Sequence, residues 1–315
     1  MAAKKPSLTK SFSVGRAMAE GALKRRKLAS ATRKKALART AQPLAHGVAS
    51  GPKRLIAKVS VPHTSAGTLI AEGDSWFDYP FHDVLSDLED IYGFDVESVA
   101  HKGDTVEDMA YSGGQLDDFA RCVEKALRSG VIPRAVLLSG GGNDIAGDEF
   151  AILLNHAASS AAGLNESIVA GVVDQRLREA YAAIMGAITT VCVGLIGRPV
   201  PIIVHGYDYA VPDGRGFAGG WGPLPGPWLE PGFRRKGYEA MTVRRPIVVT
   251  LIDRFNTMLK GLAGKPPFAH VRYLDLRKTL PNGATYRDWW ANELHPTKQG
   301  FESVTRKFAD LIAKA

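Results

Sequence analysis

Leu69-Ile70-Ala71-Glu72-Gly73-Asp74-Ser75-Trp76-Phe77 is an apolar run cut short by Gly-Asp-Ser. A short apolar run stopped by glycine reads as a buried strand entering a tight turn. Such a turn sets the Ser75 hydroxyl at the carboxyl end of a strand, where open α/β sheets bind ligands. Three residues recur by chance, so the stretch gains meaning from two companion blocks further along the chain. Ala135-Val136-Leu137-Leu138 is a second apolar run, and it leads into Gly140-Gly141-Gly142-Asn143-Asp144. Leu294-His295-Pro296 lies near the C-terminus, just ahead of a helical pattern.

Between these blocks the pattern alternates. Strands are expected over 68–72, 95–100, 135–139, 200–205 and 270–275. Helices are expected over 84–92, 115–129, 165–193, 246–262 and 297–313. Strand–helix alternation with short links predicts a parallel sheet covered on both faces. The expected architecture is a three-layer α/β/α sandwich with a five-stranded, mostly parallel, flavodoxin-like sheet. Residues 207–237 break the rhythm with five Pro, eight Gly and two Trp. A segment of this length inside a compact domain reads as a functional loop, and its aromatics argue for order. It is expected to lie over the site.

Length and composition bound the rest. At 315 residues with 45% hydrophobic content, the chain holds one large α/β domain and an appendage. No apolar stretch is read as reaching the roughly 20 residues of a membrane span. Cys122 and Cys192 read as two small buried hydrophobes. Residues 1–54 carry 14 Lys/Arg and one acidic residue, Glu20, which leaves the remainder at about −5 against a total of +8. The globular part therefore gives no reason to expect nucleic-acid binding. Residues 1–65 read as a basic arm and linker, partly helical or disordered, whose charge suits anionic lipid, nucleic acid or a protein partner. Removing residues 1–54 is expected to leave the core folded. The arm lacks the apolar centre of a secretory signal, so the expected location is cytoplasmic, or outside by another route. No transmembrane segment is expected.

Together with Gly103 in His101-Lys102-Gly103-Asp104-Thr105, these blocks resemble the SGNH (GDSL-type) hydrolase family over about residues 66–315. The resemblance implies a serine hydrolase cleaving a carboxylic ester through an acyl-enzyme, with no cofactor and no metal. Ser75 would be the nucleophile and His295 the base. The Ser75 N–H, the Gly103 N–H and the Asn143 amide would form the oxyanion hole. The substrate would be a small-molecule, lipid or glycan ester. Asp74 and Asp144 read as turn-holding residues, Asp104 and Thr105 as caps of a helix after Gly103, and Thr297 as the cap of the last helix.

One position departs from the family pattern. Three residues before the histidine the family usually has Asp, and here stands Asn292. An amide oxygen can orient an imidazole but brings no charge. Three readings stay open: Asn292 orients His295, or a carboxylate from Glu293, Asp288 or Asp208 does, or the triad is impaired. In the last case the chain would be a weakly catalytic binding module delivered by its basic arm to an anionic surface.

Overall fold

The computed structural model describes residues 9, 12, 13, 15–17, 19–21 and 24, then 65–219 and 224–315. Five parallel strands form one sheet: β1 (Thr68–Glu72), β2 (Asp95–Ser98), β3 (Ala135–Leu138), β4 (Ile202–His205) and β5 (Val271–Leu274). Their order across the sheet is β2-β1-β3-β4-β5. Every residue of β3 and β4 is buried, as expected of parallel strands covered on both faces. A helix pair covers one side: α1 (Val84–Asp90) packs on α6 (Lys298–Ile312). On the other side α2 (Val106–Tyr111), α3 (Gln115–Arg128), α4 (Arg178–Ile196) and α5 (Met241–Leu262) pack in series. This is the expected three-layer sandwich.

The order matters for function. Consecutive strands run outward in opposite directions from the β1/β3 pair, which opens a crevice at their carboxyl ends. Ser75 follows β1, Gly103 follows β2 and Asn143 follows β3. Three of the four sequence blocks therefore converge on one edge of the sheet by topology alone.

Several expectations are corrected. Helix α2 follows Gly103 as expected and is capped by Thr105, which accepts the Asp108 N–H, whereas the short helix Glu230–Arg235, like α2 only six residues long, occurs where no helix was expected. Six residues are too few to show a 3.6-residue rhythm, and Pro231 suits the first turn of the second helix. Helix α5 begins at Met241 and carries Pro246 inside it, five residues before the expected start. The helix expected over 165–193 starts with an α-helical turn at Glu166–Val169 and widens into π turns at Ala170–Leu177 before α4. The span Glu166–Ile196 is long and apolar enough to cross a membrane, contrary to the sequence reading, and most of it is buried against the domain. Cys192 is buried, whereas Cys122 is only half-buried, and both thiols are free.

The arm is not wholly separate from the core. Phe12 meets Phe268 edge-on at 5.5 Å, and Ala19 is buried. A Cβ built on Gly15 would stand 2.0 Å from the Ala183 carbonyl oxygen of α4. The backbone thus approaches α4 more closely than any side chain permits. Gly15→Ala is expected to push this segment off α4, lowering stability by about 1–2 kcal/mol and speeding tryptic cleavage within residues 1–24. Unchanged cleavage and stability would show that the contact is weak.

Candidate active site

The Ser75 turn is held from below. Asp74 is buried; its carboxylate accepts the Trp76 N–H at 3.0 Å and the Ser139 hydroxyl at 2.8 Å, and it also accepts the Tyr207 hydroxyl. Burial raises its pKa, and these donors pull it back. Trp76 then reaches across the sheet edge, and its indole N–H donates to the Leu294 carbonyl at 3.1 Å. That single bond ties the turn after β1 to the loop that carries His295.

Ser75 Oγ lies 2.7 Å from His295 Nε2, although 220 residues separate them in sequence. His295 Nδ1 lies 3.0 Å from Asn292 Oδ1. The same amide oxygen accepts the backbone N–H groups of Leu294 at 3.0 Å and His295 at 2.9 Å. Three donors converging on one atom identify it as the oxygen. The imidazole therefore carries its proton on Nδ1 and leaves Nε2 free to accept from the serine. The amide nitrogen of Asn292 donates to the Tyr79 hydroxyl at 3.0 Å. Tyr79 also stacks on the His295 ring at 4.3 Å and 20°, while Trp228 meets that ring edge-on at 5.4 Å. The sequence carried no signal for Tyr79, which belongs to no motif and acts through its placement just beyond the Ser75 turn. His295 is buried, and burial pushes its pKa down to about 3.

The alternative carboxylates are spoken for. Glu293 is fully buried, and its two oxygens accept four backbone N–H groups, from Gly214, Trp228, Leu229 and Glu230, at 2.6 to 3.0 Å. It organises the 207–237 loop. Asp208 accepts the N–H groups of Tyr209, Lys278 and Leu280. Asp288 is exposed in the short helix Tyr286–Trp289. None of the three bonds to His295 in the described structure; Asn292 does. The loop itself is ordered where described: Phe217 packs on Tyr79 at 5.7 Å and Trp228 on His295. Trp221 lies outside the described residues. Arg215, which the sequence did not single out, donates to the carbonyls of Trp290 and Ala291 and so grips the His295 loop.

Asn143 lines the same cavity as Ser75 and His295. Its amide donates to the Asp104 carbonyl at 2.9 Å and keeps a second N–H. The neighbouring Asp144 accepts the Val106 N–H at 2.9 Å, with its pKa raised to about 6 by burial. Asp144 thereby locks the block after β3 to the loop after β2. Gly141 is required here: its φ is +98°, and a Cβ would stand 2.6 Å from the Phe255 ring. Gly103 is exposed and does not line the cavity, and its φ is +93°. Its demand for glycine comes from that backbone angle, because a Cβ would meet no protein atom within 4 Å. Among the described residues, the N–H groups of Ser75 and Gly103 donate to no protein acceptor. Thr297 accepts the Gly300 N–H and caps α6, fixing the end of the His295 loop.

No protein-family model matches the chain, and no curated protein does. Solved structures do. A lipase from a goat rumen metagenome is 14% identical, with 78% of this chain and 96% of that one covered at a TM-score of 0.47. A carbohydrate esterase family 3 protein from Talaromyces cellulolyticus is 11% identical, covering 79% and 99% at 0.40. An acetylxylan esterase from Geobacillus stearothermophilus is 15% identical, covering 79% and 94% at 0.35. These identities are low, and the chemistry of the site rests on the geometry above.

Glu293→Gln is expected to turn an amide NH2 toward two backbone N–H donors and orphan them. Stability should fall by about 2–4 kcal/mol, seen as a lower denaturation midpoint with early proteolysis in the 207–237 loop. An unchanged midpoint would mean that the loop is held some other way.

Proposed function

We propose that this chain hydrolyses carboxylic esters through an acyl-enzyme on Ser75, in the manner of the SGNH hydrolases it resembles. The observation that carries the reading is the continuous line of hydrogen bonds from Ser75 Oγ to His295 Nε2 and from His295 Nδ1 to Asn292 Oδ1. A serine hydroxyl needs such a base to become a nucleophile. Ser75 Oγ attacks the ester carbonyl carbon while its proton passes to His295 Nε2. The carbonyl oxygen becomes an oxyanion facing the Ser75 and Gly103 N–H groups and the Asn143 amide. Collapse of this intermediate breaks the bond to the alcohol, which takes the proton from Nε2. Water then enters, gives its proton to Nε2 and attacks the acyl carbon. The second collapse returns the proton to Ser75 Oγ and frees the acid.

Asn292 acts through His295: it fixes the tautomer and the ring plane. It offers no negative charge to the imidazolium formed during attack. The face of the Tyr79 ring, stacked on the imidazole, supplies part of what a carboxylate would give, since an aromatic face attracts a cation.

Ser75→Ala should abolish turnover of p-nitrophenyl acetate while the fold persists, and near-normal activity would overturn the assignment. Asn143→Ala should lower kcat by about 10²–10³ with little change in KM; a rise in KM alone would make Asn143 a substrate-binding group.

The pH profile gives an independent check. The neutral imidazole is the active base, so activity is lost as pH falls through its pKa. Burial places that pKa at about 3. The acid limb of kcat/KM should therefore lie well below the usual histidine value of about 6.5. Asn292→Asp adds an anion beside Nδ1 and should move that limb upward while activity is kept or increased. Its second oxygen would accept the Tyr79 hydroxyl, which can donate as readily as it accepts. Asn292→Ala should lose activity about 10²-fold or more through loss of ring orientation. A silent Asn292→Ala would remove Asn292 from the mechanism.

A further inference from the structure

Ser75 lines a cavity of about 50 Å³ whose wall is almost wholly apolar. Ile145, Phe150, Leu229, Val248, Leu251 and Ile252 line it, and all six are buried. Cores are packed so closely that voids larger than a water molecule are few, and each costs stability. A space kept open here, with the nucleophile, the base and Asn143 in its wall, calls for an occupant.

We infer that this cavity receives the acyl chain of the ester and limits it to a short, unbranched, uncharged one of about two to four carbons. The inference rests on the ester-hydrolase reading above. Three observations carry it. The polar groups in the wall are already engaged: Asp74 with Trp76, Ser139 and Tyr207, and Asp208 with three backbone N–H groups. Besides the Ser75 N–H and the second Asn143 N–H, which the ester-hydrolase reading gives to the oxyanion, the unpartnered donor among the described lining residues is the indole N–H of Trp290, a neutral group that does not oppose an acyl chain. A charged or strongly polar occupant would lose its hydration without replacement. Second, the wall distinguishes the two arms of an ester. The alcohol must take its proton from His295 Nε2 and depart to water, which a recess walled by buried apolar side chains does not favour. The arm that stays attached to Ser75 is the acyl chain. Third, the size is decisive. A buried water needs about 10–15 Å³ on the same scale, so 50 Å³ holds only about three to five atoms of that bulk.

The test is the ratio of kcat/KM values for p-nitrophenyl acetate, butyrate, hexanoate and octanoate. The natural sequence should hydrolyse acetate and butyrate within about tenfold of each other. Hexanoate and octanoate should fall at least about tenfold below them, since a methylene without space is worth about that factor or more. Leu251→Ala removes a wall and should raise the hexanoate-to-acetate ratio about tenfold. Ala146→Leu, which adds bulk at another lining position, should lower the butyrate-to-acetate ratio instead. Ratios taken within one protein cancel any loss of folded fraction; should Leu251→Ala not fold, Ile252→Val makes a smaller opening in the same wall. Turnover that stays level or rises up to octanoate, or ratios that none of the variants shift, would overturn the inference while leaving the esterase intact. Folded protein that cleaves none of the four esters would instead overturn the esterase reading on which it stands.

Discussion

A neutral amide oxygen, Asn292 Oδ1, holds the His295 imidazole, and much of the surrounding structure keeps it there. Two backbone N–H groups and the imidazole Nδ1 share it. These three donors forbid a flip of the amide, and the Tyr79 hydroxyl accepts from its other end. A carboxylate would need no such guard, because its two oxygens are equivalent. The exchange of Asp for Asn thus shifts part of the positioning work to Tyr79 and lowers the proton affinity of His295. A weakly basic imidazole stays neutral in acid, and its cation, where it forms, has less stabilisation than a carboxylate would give.

Buried carboxylates serve here as clips for loops. Asp74 closes the turn after β1, Asp144 joins the loops after β3 and β2, and Asp208 and Glu293 gather backbone N–H groups from the C-terminal half. Each takes on a desolvation cost that its hydrogen bonds offset only in part, so burial leaves its pKa above the usual carboxylate value. Glu293 is the most consequential, since it sits beside Asn292 and fastens the 207–237 loop to the His295 loop. Trp228, carried by that loop, is then brought against the imidazole. Orientation of the base and closure of the loop are mechanically one feature.

The sheet and the blocks at its edge were legible because they are local. Apolar runs of four or five residues ended by glycine mark β1 and β3, and the turn chemistry at Gly73 and Gly141 has few other solutions. The partner of His295 was not legible. Asn292, Glu293, Asp288 and Asp208 all had the chemistry, and only three-dimensional hydrogen bonding distinguishes an oxygen facing an imidazole from one facing four amides. Tyr79 escaped notice for the same reason: its role depends on stacking across loops and leaves no spacing in the chain. Docking of Phe12 and Gly15 on α4 was hidden by charge, because Lys and Arg dominate a segment whose contact surface is made of its few small and apolar residues.

The central claim is that Ser75 is a nucleophile activated by His295. Covalent labelling with a fluorophosphonate, followed by peptide mass mapping, tests it most directly. The account predicts one adduct, on the peptide containing Ser75, and loss of that adduct in His295→Ala. An adduct at another residue, or none on protein that still hydrolyses esters, would contradict it.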